Sequence, residues 1–376
     1  MNIINSETLI SNPLVWLEIQ KKNLLYNVQQ MKQIIGSAPI MAVVKANAYG
    51  LGCAEVAQVI QNEVDALGVV GIPDALALRN AEISKPIINL GIYCTDDSKT
   101  YTQNQIRPTI FTQTALCDFD SAAQKENVVG ALWIKVDTGL TRLGVPYQDA
   151  VEFIKMAMRM KNISVEGVYT TMTEDPTFDL QQRERFQQIK SSCISAGMAI
   201  PTWSSSSSQE VFLSPETSID MVRLGISLLG YYPSPEAKET GRANLKPIAT
   251  FKSKIACIKK IKNGESLFYR RAFVAKQHTR IAVLLAGYSY GLDPRLVNGG
   301  QVLINGNTYP LVGGISATNA FVDIGNTDNI CANDEAVLFG NQESSEITVE
   351  EICSMLNKNT YEVLSSIPQK VTRIVV

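Results

Sequence analysis

The sequence predicts an α/β protein: a (β/α)₈ TIM-type barrel followed by a C-terminal, mainly antiparallel β domain. Three observations carry this prediction. Strand-like runs recur roughly every 20 to 35 residues up to about residue 230, with amphipathic helical stretches between most of them. Beyond Pro235 the chain changes to short alternating runs punctuated by Asn-Gly pairs. The 376 residues are also too many for one small domain and suit a large barrel with a second unit.

Taken in order, Leu14–Ile19 alternates like a strand and Lys22–Ile35 has helical spacing. Barrel strands are predicted at Ile40–Lys45, Ala66–Val70, Pro86–Leu90, Arg107–Phe111, Ala131–Val136, Val165–Thr170, Ile200–Trp203 and Met221–Leu224, with helices such as Tyr147–Met160 and Asp179–Ala196 between them. A barrel of this kind places its active site at the C-terminal ends of the strands. Lys45, Arg142, Ser208 and Arg223 fall at or just beyond such ends. The barrel is assigned residues 12–235 and the β domain 236–376, with residues 1–11 free to pack with the second. Residues 236–247 are polar and broken, as in a connection between domains. Turn signals follow at Asn263-Gly264, Asn298-Gly299 and Asn305-Gly306, and one helix, Val349–Asn357, interrupts the β pattern.

Composition narrows the function classes. Apolar residues make up 45% and charged residues 19%, as in globular proteins. A formal charge of -2 argues against a general nucleic-acid binder, which needs a basic face. No signal peptide and no apolar run of membrane-spanning length is visible, so a cytoplasmic protein without membrane partners is expected. Seven cysteines without paired spacing read as reduced thiols. The single histidine, His278, sits in a polar connection and reads as a solvated loop residue. A histidine-rich zinc site is thereby excluded, a Ser-His-Asp triad would have to use that one residue, and proton transfer falls to Lys, Tyr, Cys or carboxylates.

Ile40-Met41-Ala42-Val43-Val44-Lys45-Ala46-Asn47-Ala48-Tyr49-Gly50-Leu51-Gly52 is an apolar run ending on one lysine, then small residues and glycine. A lysine at the mouth of a buried strand is poorly solvated, its pKa falls, and its amine suits Schiff-base formation with a carbonyl compound. From this stretch alone, a surface lysine after an edge strand is the other reading. The stretch resembles the cofactor-lysine motif of alanine racemases, Val-Val-Lys-Ala-Asn-Ala-Tyr-Gly-His-Gly, with Leu51 in place of the histidine. The resemblance implies that Lys45 carries pyridoxal 5'-phosphate (PLP) and that Tyr49 binds its phosphate.

Further blocks follow in the family's order. The tract Ser204-Ser205-Ser206-Ser207-Ser208 reads as a flexible linker or as a phosphate loop after the seventh strand. The family has Asn-Ser where Ser207-Ser208 stand, which assigns Ser208 to the phosphate. Asp220-Met221-Val222-Arg223-Leu224-Gly225-Ile226 resembles Asn-Met-Val-Arg-Phe-Gly-Ile. That match sets Arg223 against the pyridine nitrogen and the N–H groups of Gly225 and Ile226 against phosphate. An arginine so placed cannot accept the ring proton, which weakens the electron sink and suits racemisation. A structural ion pair is the plainer reading of Arg223.

The block Leu132 to Gly144, which contains Lys135 and Arg142, resembles one in which the arginine contacts the substrate carboxylate and the lysine is carbamylated in many members. An ordinary paired Lys135 is the alternative. Ala286-Gly287-Tyr288-Ser289-Tyr290-Gly291 resembles Gly-Tyr-x-Asp-Gly, making Tyr288 the second acid/base, supplied to Lys45 of the other subunit of a head-to-tail homodimer. Core packing is its plainer reading. Tyr361, in Asn359-Thr360-Tyr361-Glu362-Val363, is implied to touch phosphate.

Several positions depart from the family pattern. Thr171 replaces a histidine that links the pyridine-side arginine to the catalytic tyrosine, and Tyr290 replaces an aspartate. Ala317 replaces a methionine beside the substrate and should leave room, and Arg270 stands where glycine is expected in Phe268-Tyr269-Arg270. The leading expectation is a PLP-dependent racemase of alanine serving cell-wall precursors, with a small-molecule amino acid as its partner and Lys45 and Tyr288 as its two bases. A racemase of another or larger amino acid, such as serine or lysine, and a PLP-binding protein with little turnover are the alternatives. A decarboxylase on the same barrel would carry glutamate where Arg223 stands.

Overall fold

The computed structural model describes residues 13–217 and 220–376; the expectation about residues 1–11 lies outside the described residues. The chain divides into two units, one formed by Lys21–Pro247 and the other by the chain up to Gln20 with Ile248–Val376.

In the first unit, eight strands form one parallel sheet: β2 (Ile40–Val43), β3 (Ala66–Val69), β4 (Ile87–Asn89), β5 (Ile106–Ile110), β6 (Gly130–Asp137), β8 (Ile163–Tyr169), β9 (Thr202–Ser204) and β10 (Val222–Leu224), with the short β7 (Val145–Pro146) beside β6. Their order, β10-β2-β3-β4-β5-β6-β8-β9, is that of a nearly closed barrel. The seam between the two ends is drawn together by Met221 N–H to the Trp203 carbonyl (3.2 Å) and Arg223 N–H to the Ser206 carbonyl (3.0 Å). These strands are short and buried on both faces, as β2 and β3 show at every residue, because helices cover the outside and side chains fill the inside. Met41, Ala66, Ile88, Trp133, Tyr169 and Met221 form one buried cluster. Gly167 makes room for it: a Cβ there would lie 2.6 Å from the Trp133 ring.

The second unit is a sheet in the order β16-β15-β18-β11-β1-β20, with β14 joining β11 to β17 and β19 pairing with β18. Its strands are β1 (Val15–Ile19), β11 (Ala249–Ile261), β14 (Thr279–Leu284), β15 (Gln301–Ile304), β16 (Asn307–Pro310), β17 (Ala320–Gly325), β18 (Glu335–Gln342), β19 (Ser345–Ile347) and β20 (Thr372–Val375). A two-strand ribbon, β12 (Ser266–Leu267) with β13 (Phe273–Val274), stands apart. Pairing is antiparallel except between β1 and β20.

Two expectations are corrected here. Val15–Ile19, assigned to the barrel, is instead a strand of the β unit, between β11 and β20. Residues 236–247, read as the start of the β domain, stay with the barrel unit. Asn27 is why: buried on the helix Lys21–Ile35, it accepts from Lys246 N–H (2.8 Å) and donates to the Lys246 carbonyl (2.8 Å). The divisions therefore fall at Gln20 and Pro247. Of the Asn-Gly pairs, Asn305-Gly306 forms the two-residue hairpin turn between β15 and β16, with φ of 50° and 72°. A second helix, Thr360–Ser365, accompanies Val349–Leu356; each is capped by a reciprocal pair, Thr348 with Glu351 and Asn359 with Glu362.

Candidate active site

Lys45 ends the apolar run of β2 and begins a left-handed turn. Ala46, Asn47, Ala48 and Tyr49 have φ of 52°, 55°, 50° and 55°. Each residue so held costs roughly 1–2 kcal/mol. Burial lowers the pKa of Lys45, and the guanidinium groups of Arg142 and Arg223 lower it further. Lys135, 4% exposed on β6, is lowered to about 8, chiefly by burial and then by Arg142 and Arg223, against a small opposing effect of Asp137. It makes no ion pair among the described residues. Lys45, Lys135, Arg142 and Arg223 therefore form a cluster of cations, none of them in a salt bridge among the described residues, although Asp137 acts on Lys135 and Glu210 on Arg223. Arg142 itself is exposed.

Arg223 is buried. Its Nη1 donates to the Ser204 carbonyl (3.0 Å) and hydroxyl (2.7 Å), and its Nη2 to the Thr170 carbonyl (2.7 Å). The structural ion pair is thus corrected: every partner is a neutral oxygen. Its Nε–H has no partner among the described residues. Tyr169, with the Arg223 guanidinium 5.3 Å from its ring centroid, is raised to about 12 by burial. Thr171 stands where the histidine was expected, and its carbonyl accepts from Gln182 Nε2 (3.2 Å).

The serine tract is no linker. Ser204 ends β9, Ser207 caps the helix Ser208–Leu213 in a reciprocal pair with Glu210, and the Ser208 hydroxyl meets Ser227 Oγ at 2.9 Å and accepts from Gly225 N–H at 3.2 Å. A Cβ on Gly225 would lie 2.6 Å from the Tyr49 hydroxyl, so only glycine fits beside that tyrosine. The N–H of Ile226 has no partner among the described residues. Tyr49, Ser208, Gly225 and Ile226 thus gather at one end of the barrel strands. The remaining predicted residues lie on the β unit. Tyr288 is 55% exposed, too much for a core side chain, and its N–H and that of Ser289 donate to the carbonyls of Ser316 and Ala317 (2.9 Å each). Gly287 permits this approach, since a Cβ would lie 2.2 Å from the Ser316 carbonyl oxygen. Tyr361 is on the helix Thr360–Ser365.

The description "Alanine racemase, N-terminal domain" matches residues 19–233, and "Alanine racemase, C-terminal domain" matches residues 248–375. The chain belongs to the alanine racemase family. It is similar to the alanine racemase of Methanococcus maripaludis, 32% identical over 373 residues that cover 97% of this chain and 99% of that protein. Among solved structures, the alanine racemase of Clostridium difficile 630 superposes with a TM-score of 0.90 at 29% identity, covering 97% and 96% of the two chains. That of Bartonella henselae, with covalently bound pyridoxal phosphate, shares the fold with a TM-score of 0.78 at 24% identity, covering 97% and 100%. Alanine racemase membership makes the chain an isomerase. The family pattern also gives meaning to Arg270: the expected glycine falls at φ 54°, so this chain holds an arginine in a left-handed conformation.

The site geometry fits the cofactor: a lysine with a lowered pKa, an arginine with one unpartnered N–H, and hydroxyl and backbone N–H groups around a glycine. Asp74, Ser204, Ser227 and Gln182 contribute to the site and were not singled out by sequence. Ser204 lies in the serine tract and Ser227 directly follows the Asp220–Ile226 block, whereas Asp74 carried no signal beyond its place at a helix start.

Proposed function

We propose that this chain interconverts L- and D-alanine with pyridoxal phosphate as cofactor. The observation that carries the proposal is Lys45 at the barrel mouth, its pKa lowered by burial and by the neighbouring Arg142 and Arg223. Lys45 would hold the cofactor, with Tyr49, Ser208, Tyr361 and the N–H groups of Gly225 and Ile226 on its phosphate and Arg223 Nε–H on its ring nitrogen. Bound there, the cofactor supplies the electron sink that makes the substrate Cα–H acidic.

The chain's own groups do the rest. A lowered pKa leaves a larger share of Lys45 Nζ unprotonated near neutral pH, able to take a proton and return it. Arg142, exposed and without a carboxylate partner among the described residues, presents its fork to the substrate carboxylate. Inversion needs a second group on the opposite face, and Tyr288, from a second copy of the chain, is that group in this reading. Ala317, bonded through its carbonyl to the Tyr288 turn, sets the room beside the substrate. Lys135 bears on Arg142 either as a bare amine or as a carbamate, formed when its neutral amine adds carbon dioxide and releases a proton. The seven free cysteines fit a reducing cytoplasm, and no described helix is long and apolar enough to cross a membrane.

Incubation with a panel of L-amino acids and PLP, followed by chiral separation, tests the reading. D-alanine is expected as the main product; a serine or lysine product redirects it to the larger substrate, and no product with any amino acid removes it.

A further inference from the structure

The longest run of left-handed non-glycine residues among the described ones follows directly after Lys45. Such a run relaxes to ordinary backbone unless its surroundings over-determine it. At the far end they do. Gly50 N–H bonds the Ala46 carbonyl (2.9 Å), Gly52 N–H bonds the Asn47 carbonyl (2.8 Å), and Cys53 N–H donates to Asn47 Oδ1 (2.9 Å). The near end, where Lys45 attaches, is held from another element. Asp74 lies in the first turn of the helix Ile72–Asn80, just after β3, and its carboxylate accepts from the N–H groups of Asn47 (3.4 Å) and Ala46. Asp74 is half-buried and has no cationic partner among the described residues. Burial pushes its carboxyl up, and the two N–H groups pull it back toward the ionised form.

We propose that Asp74 is a positioning residue for Lys45 and Tyr49: its carboxylate holds the left-handed turn that carries both side chains. The turn-holding role stands on contacts within the barrel unit; its importance for the cofactor rests on the function proposed above. Losing the acceptor leaves two N–H groups unsatisfied at the strained end, and the turn opens. Tyr49 then leaves Gly225, and Lys45 loses its aim.

The test is hydrogen exchange of residues 44–52 in cofactor-free protein, run beside PLP titration and borohydride trapping of PLP on Lys45. Asp74→Ala is expected to speed exchange of this segment about tenfold while β5 and β6 are unchanged, to weaken PLP about tenfold, and to lower the trapped fraction. Asp74→Asn, which keeps one acceptor oxygen, should fall between. Adding Ala46→Gly and Ala48→Gly to Asp74→Ala, which removes the Cβ penalty of left-handed φ, should restore most of the affinity. The proposal is overturned by unchanged exchange in Asp74→Ala, by equal acceleration across all barrel strands in both Asp74 variants, or by no recovery in the glycine background. A wild-type protein that fails to hold PLP while Asp74→Ala loosens the turn would break the proposed function and leave the turn-holding role standing.

Discussion

Among the described residues, two turns hold several non-glycine residues at positive φ, and they are supported very differently. Ala46–Tyr49, at the barrel mouth, is tied by Asp74, by Asn47 and by Gly50 and Gly52, and it lies between Lys45 and a glycine-lined corner. Phe268, Arg270 and Arg271, on the β unit, have φ of 69°, 54° and 56°. There Phe268 packs on Phe321, but Tyr269 is 78% exposed and both arginines are exposed too. The first turn is strained where its surroundings hold it, directly beside Lys45. The second is strained because the sequence has an arginine where the backbone asks for glycine.

The largest effect that sharpens this contrast is at the head of the first turn. Lys45→Ala is expected to lower racemisation by a factor on the order of 10³ or more and to abolish borohydride trapping of PLP; a variant that still traps PLP would show that another amine carries it. Tyr288→Phe should lower proton exchange into alanine from one enantiomer by roughly 10²- to 10⁴-fold more than from the other, followed in deuterated solvent; equal losses contradict a two-base scheme.

Next comes Lys135, which measures what the crowded mouth costs the fold. Its pKa is depressed from 10.5 to about 8, so the folded chain disfavours its charged form by about 3 kcal/mol. Between those values the unfolded chain binds more protons than the folded one, so wild-type stability rises with pH there. Lys135→Met should therefore stabilise at pH 7 by up to about 3 kcal/mol, with the gain fading by pH 10.5, read by denaturant unfolding. Destabilisation instead would report a carbamylated Lys135. The smallest effect belongs to the second turn: Arg270→Gly should stabilise by about 1 kcal/mol and leave PLP affinity unchanged. A change in affinity there would erase the distinction between the two turns.

The barrel and its lysine were legible because both depend on local patterns. Buried parallel strands are short apolar runs, and the sequence ranges for them lie within one or two residues of those observed at both ends. The placement of Val15–Ile19 was not legible: its partners on β11 and β20 lie more than two hundred residues along the chain, and alternation says nothing of which sheet a strand joins. Residues 236–247 look like a linker because their anchor, Asn27, is as distant in sequence. Within the site, Lys45, Arg223 and Ser208 carry motifs, whereas Asp74 meets the Lys45 turn from the first turn of a separate helix, a contact that no spacing rule encodes. The serine tract misleads by composition, since its members serve separately as strand end, helix cap and hydroxyl acceptor for a backbone N–H.

Arg223, at the barrel mouth, is gripped by carbonyls and a serine alcohol, and the chain's sole imidazole is out on the surface of the other unit. Nothing in that grip titrates as a medium acidifies from neutrality toward pH 5. An acid limb in the rate profile would therefore trace to groups outside that grip, Lys45 first among them, because acid protonates the amine that has to take up the proton.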